Sequence, residues 1–193
     1  MRIPRSAYAA LAAADVALAT RRLDKLRRFT KPLLMPALIP GRDRTTQQAL
    51  ALGCAGDVAL LGTSQAAFTA GLGCFLLGHV TWIRALRQRP STALLRRRPL
   101  LAAPYVAAWL GLNAVLWSRT GRDRVPVLAY SMALTSMALT ALDTGDVRTA
   151  AGGTAFLISD TLLALERFAD ITLPGHEGLV MATYTSAQAL LAD

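Results

Sequence analysis

Charge is scarce in this sequence and unevenly placed. Asp, Glu, Lys and Arg make up 17% of its 193 residues, where about a quarter is usual for a soluble domain. The stretches 45–83, 99–118, 125–142, 149–165 and 178–192 cover more than half the chain. They hold two charged residues, Asp57 and Asp160, and one histidine, His79. A soluble helical domain carries charge along every exposed face and is therefore excluded. A hydrophobic content of 53% excludes disorder. Cysteine is equally sparse: Cys54 and Cys74 stand among Ala, Gly and Leu, with no CxxC or Cys/His spacing, and read as packing residues rather than metal ligands. GxSxG, HExxH and GxxxxGK are all missing, and Ser159 beside Asp160 makes no triad. The motif-borne nucleophile, zinc and phosphate-loop chemistries therefore have no footing, and no cofactor or metal is implied.

What remains is an integral membrane protein. A helix crossing about 30 Å of hydrocarbon needs about 20 residues, and apolar blocks between charge or Pro/Gly punctuation predict eight spans. They run over 5–20, 26–40, 46–64, 67–86, 99–118, 124–142, 149–167 and 177–191. The fold class is all-α, a polytopic membrane helix bundle forming one integral membrane domain over 1–193, with a bacterial cytoplasmic membrane as the expected location. The second block contains KPLLMPALIP with three prolines, and extends back through Leu26 and Phe29, with Arg27 and Arg28 snorkelling. The net charge of +9 does not point to nucleic acid, because the arginines sit between apolar blocks, where insertion and anionic headgroups select them. Arg2, Arg5, an Ala-rich run and Ala17-Leu18-Ala19 resemble a cleavable leader. Asp15 within the run and the basic segment after it favour a retained helix. With eight spans, eleven Lys/Arg fall on one side and ten on the other, so charge leaves the orientation open; the reading adopted puts both termini inside. The sequence says nothing of oligomeric state.

Ionisable groups at membrane depth are costly and mark function by default. Asp57 sits mid-block in GCAGDVALLG, Asp160 in AFLISDTLLAL, and His79 in CFLLGHVTW. Each is expected to face the bundle interior. Two readings stand side by side: an interhelical clasp, or an acid/base site. Phe68, Leu72, Phe75 and His79 form one helical stripe, and Tyr184 and Gln188 share a face at i and i+4; both patterns also serve packing or interhelical hydrogen bonding. Lys31, before Pro32, is either an interfacial lysine or a cation at one mouth of the bundle, suited to a phosphate or to the carboxylates.

Six strings, in order, carry a resemblance. They are Lys31-Pro32-Leu33-Leu34-Met35-Pro36; Gly56-Asp57 with Leu60-Leu61; Phe68-x-x-Gly71-Leu72-x-x-Phe75-x-x-x-His79; Tyr130-Ser131 with Met137; Phe156-x-x-Ser159-Asp160-x-x-x-Ala164; and Tyr184-x-x-x-Gln188. From Lys31 to Leu191 the chain resembles the YhhN membrane family, the lysoplasmalogenases and their relatives. Trp82 stands where the family often has Tyr, and the segment before Lys31 carries no family motif. The resemblance implies eight membrane helices and cleavage of the vinyl ether bond of a lysophospholipid, releasing a fatty aldehyde and a glycerophospho-base. It implies Asp57 and Asp160 as the catalytic pair, one the acid and the other the carboxylate that steadies the cation, without saying which. Lys31, His79, Tyr130, Ser159, Tyr184 and Gln188 are then expected to bind or orient substrate and water, and Phe68, Phe75 and Phe156 to line the acyl-chain slot. Substrate and membrane lipids are the only partners implied. The same buried polar core also fits a non-catalytic lipid-binding protein or a proton-coupled carrier.

Overall fold

The computed structural model describes residues 5–193; Arg2 of the leader-like pattern lies outside them. The described residues are helical, with no strand among them. The order is α1 (Arg5–Thr20), α2 (Asp24–Leu38), α3 (Arg44–Ala59), α4 (Gln65–Arg87), the single turn α5 (Leu94–Arg97), a 3₁₀ turn (Pro99–Ala102), α6 (Ala103–Leu116), a second 3₁₀ turn (Gly121–Asp123), α7 (Arg124–Asp143), α8 (Val147–Ala169) and α9 (His176–Ala192). Three of these are long and apolar enough to cross a membrane by length and composition: Gln65–Arg87, Pro99–Leu116 and Gly121–Asp143.

Three helix starts are capped by polar residues. Asp43 accepts from the Thr46 backbone N–H at 3.0 Å and Thr46 Oγ1 at 2.6 Å. Asp146 repeats the pattern on Thr149, at 2.8 and 2.6 Å, and Ser64 Oγ accepts from Ala67 N–H at 3.1 Å. Each satisfies a donor that the first helical turn leaves open. The Thr hydroxyl hydrogen bonds hold both aspartates below the usual carboxylate range. The proline-rich block is one continuous helix, with Pro32 and Pro36 inside it. Pro36 has no N–H, so the Pro32 carbonyl loses its intrahelical donor; the Cys54 thiol lies against that carbonyl at 3.6 Å.

Seven helices close a ring in the order α1, α2, α3, α4, α7, α8, α9 and back to α1, and α6 lies outside it against α7 and α8. Small residues make the close approaches. A Cβ on Gly153 would stand 2.8 Å from Ala141 Cβ and 3.0 Å from the Ala138 Cα, and one on Gly152 would meet Leu190 Cβ at 2.9 Å. α8 is thereby seated tightly between α7 and α9. Leu34, Met35, Leu50, Trp82, Met137 and Leu191 fill the core. Trp82, the departure from the family pattern, is fully buried there. α6 buries only Leu116 and leaves Leu110 and Val106 exposed. α1 joins the ring through Tyr8, whose hydroxyl donates to the Thr185 carbonyl of α9 at 2.8 Å.

Candidate active site inside the ring

The ring encloses a cavity of about 540 Å³, lined from α2, α3, α4, α7, α8 and α9. Its floor carries the carboxyls of Asp57 and Asp160. Asp57 is placed there by α3, whose Gly56 lets the Phe75 ring approach so closely that a Cβ would stand 2.6 Å from it. Both Asp57 oxygens are engaged: Tyr184 OH donates to Oδ2 at 2.7 Å, and Lys31 Nζ stands 3.4 Å from Oδ1. Gln188 Nε2 donates to the Tyr184 oxygen at 3.3 Å, so the phenol's single proton is turned onto the carboxylate.

Asp160 is held differently. Tyr130 OH donates a short hydrogen bond to Oδ2, while Oδ1 accepts no hydrogen bond among the described residues. His79 Nε2 lies 3.1 Å from the Tyr130 oxygen and 3.9 Å from Asp160 Oδ2. Tyr130 has one proton and gives it to Asp160, so His79 is the donor in its bond to Tyr130, through Nε2–H. His79 Nδ1 is a buried nitrogen with no hydrogen-bond partner among the described residues.

Eight of the eleven residues named from the sequence line this cavity: Lys31, Asp57, Phe68, Phe75, Tyr130, Ser159, Asp160 and Tyr184. Ser159 sits in the wall with its hydroxyl committed to the Val180 carbonyl at 3.1 Å. The other three lie one layer behind. His79 and Gln188 are almost fully buried and reach the cavity only through Tyr130 and Tyr184. Phe156, expected in the acyl slot, stacks edge-on against His79 at 4.7 Å and Tyr184 at 5.5 Å and props both.

From the carboxyls the cavity runs past apolar walls, with Leu72 and Leu163 among them, to a charged rim of Arg27, Glu166, Arg167 and Glu177. These lie near the ends of α2, α8 and α9 that meet the 21–23 and 170–175 turns. Residues 26–193 match the YhhN family. The chain belongs to that family. Two relatives, both named lysoplasmalogenase, come from Mycobacterium bovis and Mycobacterium tuberculosis; each is 33% identical over 133 residues, covering 65% of this chain and 49% of the relative. The chain thus spans about half the length of the curated relatives it matches. No solved structure matches it.

Sequence reasoning missed part of this YhhN site. Asp15 is fully buried; Thr30 Oγ1 donates to its Oδ1 at 2.5 Å, and Arg27 Nε stands 3.8 Å from its Oδ2. Its signal was the same as that of Asp57, an acid within an apolar run, and the leader-like flanks masked it. Arg27, Glu166, Arg167 and Glu177 sit near the loops and were indistinguishable from ordinary interfacial charges.

Proposed function

We propose that this YhhN chain is a membrane hydrolase of the lysoplasmalogenase type, with all eight long helices crossing a bacterial cytoplasmic membrane as one domain. Its substrate is a lysophospholipid with a 1-alkenyl chain, and it works by acid/base catalysis with Asp57 and Asp160. The observation that carries the reading is the asymmetry of the two carboxyls. Asp57 has both oxygens engaged, one by the Tyr184 hydroxyl and the other by the Lys31 ammonium, the surroundings of an anion. Asp160 has one oxygen held by Tyr130 and the other with no donor among the described residues, the arrangement of a group that carries a proton into the cavity.

The chemistry balances with one water. Asp160 gives its proton to the vinyl carbon one bond removed from the oxygen-bearing carbon, and an oxocarbenium ion forms. Asp57 steadies that cation, as a carboxylate does in glycoside hydrolysis, and takes a proton from the water that adds to it. The resulting hemiacetal then collapses. Asp57 returns its proton to the leaving glycerol oxygen, and Asp160 takes the proton of the hemiacetal hydroxyl. A fatty aldehyde and a glycerophospho-base leave, and both carboxyls return to their starting states. Bent at its vinyl ether beside the carboxyls, the substrate lays its single chain along the apolar wall of Leu72 and Phe75 and turns its polar headgroup to the charged rim.

The test is aldehyde release by the purified protein from a vinyl ether lysolipid, with the saturated alkyl ether and the acyl ester as comparators. Only the vinyl ether has a carbon that a carboxyl can protonate to an oxocarbenium ion. Aldehyde from that substrate alone is the expected result. Equal turnover of the acyl ester refutes the reading, and transport of the lipid without product replaces it with a carrier.

A further inference from the structure

Three cations stand on the cavity wall, and two are already matched by carboxylates. Lys31 pairs with Asp57 at 3.4 Å. Arg27 pairs with Glu177 at 3.4 Å and lies 3.8 Å from Asp15. Arg167 differs: among the described residues no carboxylate lies within ion-pair distance of it. Its guanidinium instead lies over the Phe68 ring at 3.6 Å from the centroid, with Phe168 at 5.8 Å. Phe68 and Phe168 pack edge to face, 6.0 Å apart. Phe68 belongs to α4 and Arg167 to α8, so the guanidinium reaches past α7 to the wall that α4 forms.

An arginine in the last turn of a helix ordinarily complements the carbonyls there. At the end of α8 that role is taken by Arg119, which donates to the Ala169 carbonyl at 3.2 Å. Stacking on an aromatic face fixes the plane of a guanidinium while leaving its N–H edge available for a second partner. A planar fork with an unspent charge, at the mouth of a cavity whose deeper cation is bound to the catalytic carboxylate, is the arrangement that receives a phosphate.

We propose that Arg167, cradled by Phe68 and Phe168, binds the headgroup phosphodiester of the single-chain lipid and sets the preference for phospholipid over the neutral glycerol ether. Lys31 is thereby left to Asp57. The inference rests on the hydrolase reading above for its turnover assay but has a separate binding readout.

The experiment compares wild type, Arg167→Gln and Arg167→Lys on two vinyl ether substrates: a 1-alkenyl glycerophosphocholine and the 1-alkenylglycerol that lacks the phosphate. The expected result is that the ratio of their kcat/KM values, high in wild type, falls roughly ten- to hundredfold in Arg167→Gln through the KM of the phospholipid. Arg167→Lys, with charge but no fork, is expected to fall between. A ratio unchanged in Arg167→Gln overturns the assignment, whether or not both activities drop together. If wild type releases aldehyde from neither substrate, the hydrolase reading fails. Equilibrium binding of the saturated 1-O-alkyl glycerophosphocholine and 1-O-alkylglycerol then decides the inference alone. Preference for the phospholipid in wild type, lost in Arg167→Gln, supports it; equal binding of both lipids by wild type refutes it.

Discussion

Replacing Lys31 by Met separates two jobs that a cation at this position can do. The ammonium stands 3.4 Å from Asp57 Oδ1, with 15% of the lysine side chain and 3% of the aspartate exposed. At that distance and an effective dielectric constant of about 20, the gross attraction is about 5 kcal/mol. Desolvation of both ions offsets much of it, but removing one partner of a buried pair leaves the other uncompensated and typically costs about 3–5 kcal/mol. For a domain of this size that corresponds to a fall in Tm of roughly 6–20 °C. Adding Asp57→Asn to Lys31→Met removes the orphaned charge, so the double variant is expected to recover most of the lost Tm, since neutral replacements of buried pairs are often neutral or stabilising. Activity is not expected to return, because the anion that steadies the cation is gone. Thermal unfolding in one detergent and aldehyde release on the same four proteins complete the cycle. A Lys31→Met protein of wild-type stability and kcat, with only a raised KM for phospholipid, refutes this reasoning and gives Lys31 the headgroup instead of Arg167.

Tyr130→Phe removes the donor to Asp160 Oδ2 and is expected to lower kcat about ten- to hundredfold; His79→Gln, whose hydrogen bond is to Tyr130 and not to Asp160, is expected to cost less. A His79→Gln loss equal to that of Tyr130→Phe, in kinetics of the purified variants, contradicts the chain of contacts. Gly153→Val drives side-chain atoms into Ala138 and Ala141 and is expected to lower Tm strongly, by an overpacking cost of about 1–3 kcal/mol, read by thermal unfolding. Asp146→Ala is expected to cost about 1 kcal/mol at neutral pH through the lost cap. Because the folded state holds this carboxyl below its ordinary value near 3.9, its contribution is present above that value and lost as pH falls through the lower folded one. Asp146→Asn, which caps without titrating, is therefore expected to flatten the Tm profile below about pH 4 and not between pH 5 and 8.

Helix positions were legible because apolar runs and their punctuation report the limits of helices directly. The 149–167 block is found as Val147–Ala169 and the 177–191 block as His176–Ala192. The shortfalls lie at punctuation: 46–64 ends as a helix at Ala59, and 99–118 opens with a 3₁₀ turn before α6. Neither the ring order nor the exclusion of α6 from it was legible, because both depend on which small residues meet across helices. Face sharing was legible and depth was not. Phe156 and Asp160 lie at i and i+4 and share a stripe, yet one helical turn separates a cavity wall from the layer behind it. Loop counts of Lys and Arg mixed interfacial charges with Arg27, Lys31 and Arg167, which line the cavity, and so gave near-equal totals on the two sides.

The central claim is that Asp160 is the proton donor, and Asp160→Asn tests it most directly. The amide keeps the size of the side chain and an oxygen for Tyr130 but has no acidic proton for the vinyl carbon. The measurement is the rate of aldehyde release from a 1-alkenyl lysophospholipid by the purified variant, with Tm recorded in the same detergent. The account predicts a loss of about 10²–10⁴ in rate with Tm little changed, because the amide keeps the volume of the neutral acid and the acceptor for Tyr130. An Asp160→Asn protein that releases aldehyde at the wild-type rate, or that unfolds while its surviving fraction remains fully active, contradicts the account and makes the aspartate a clasp between helices.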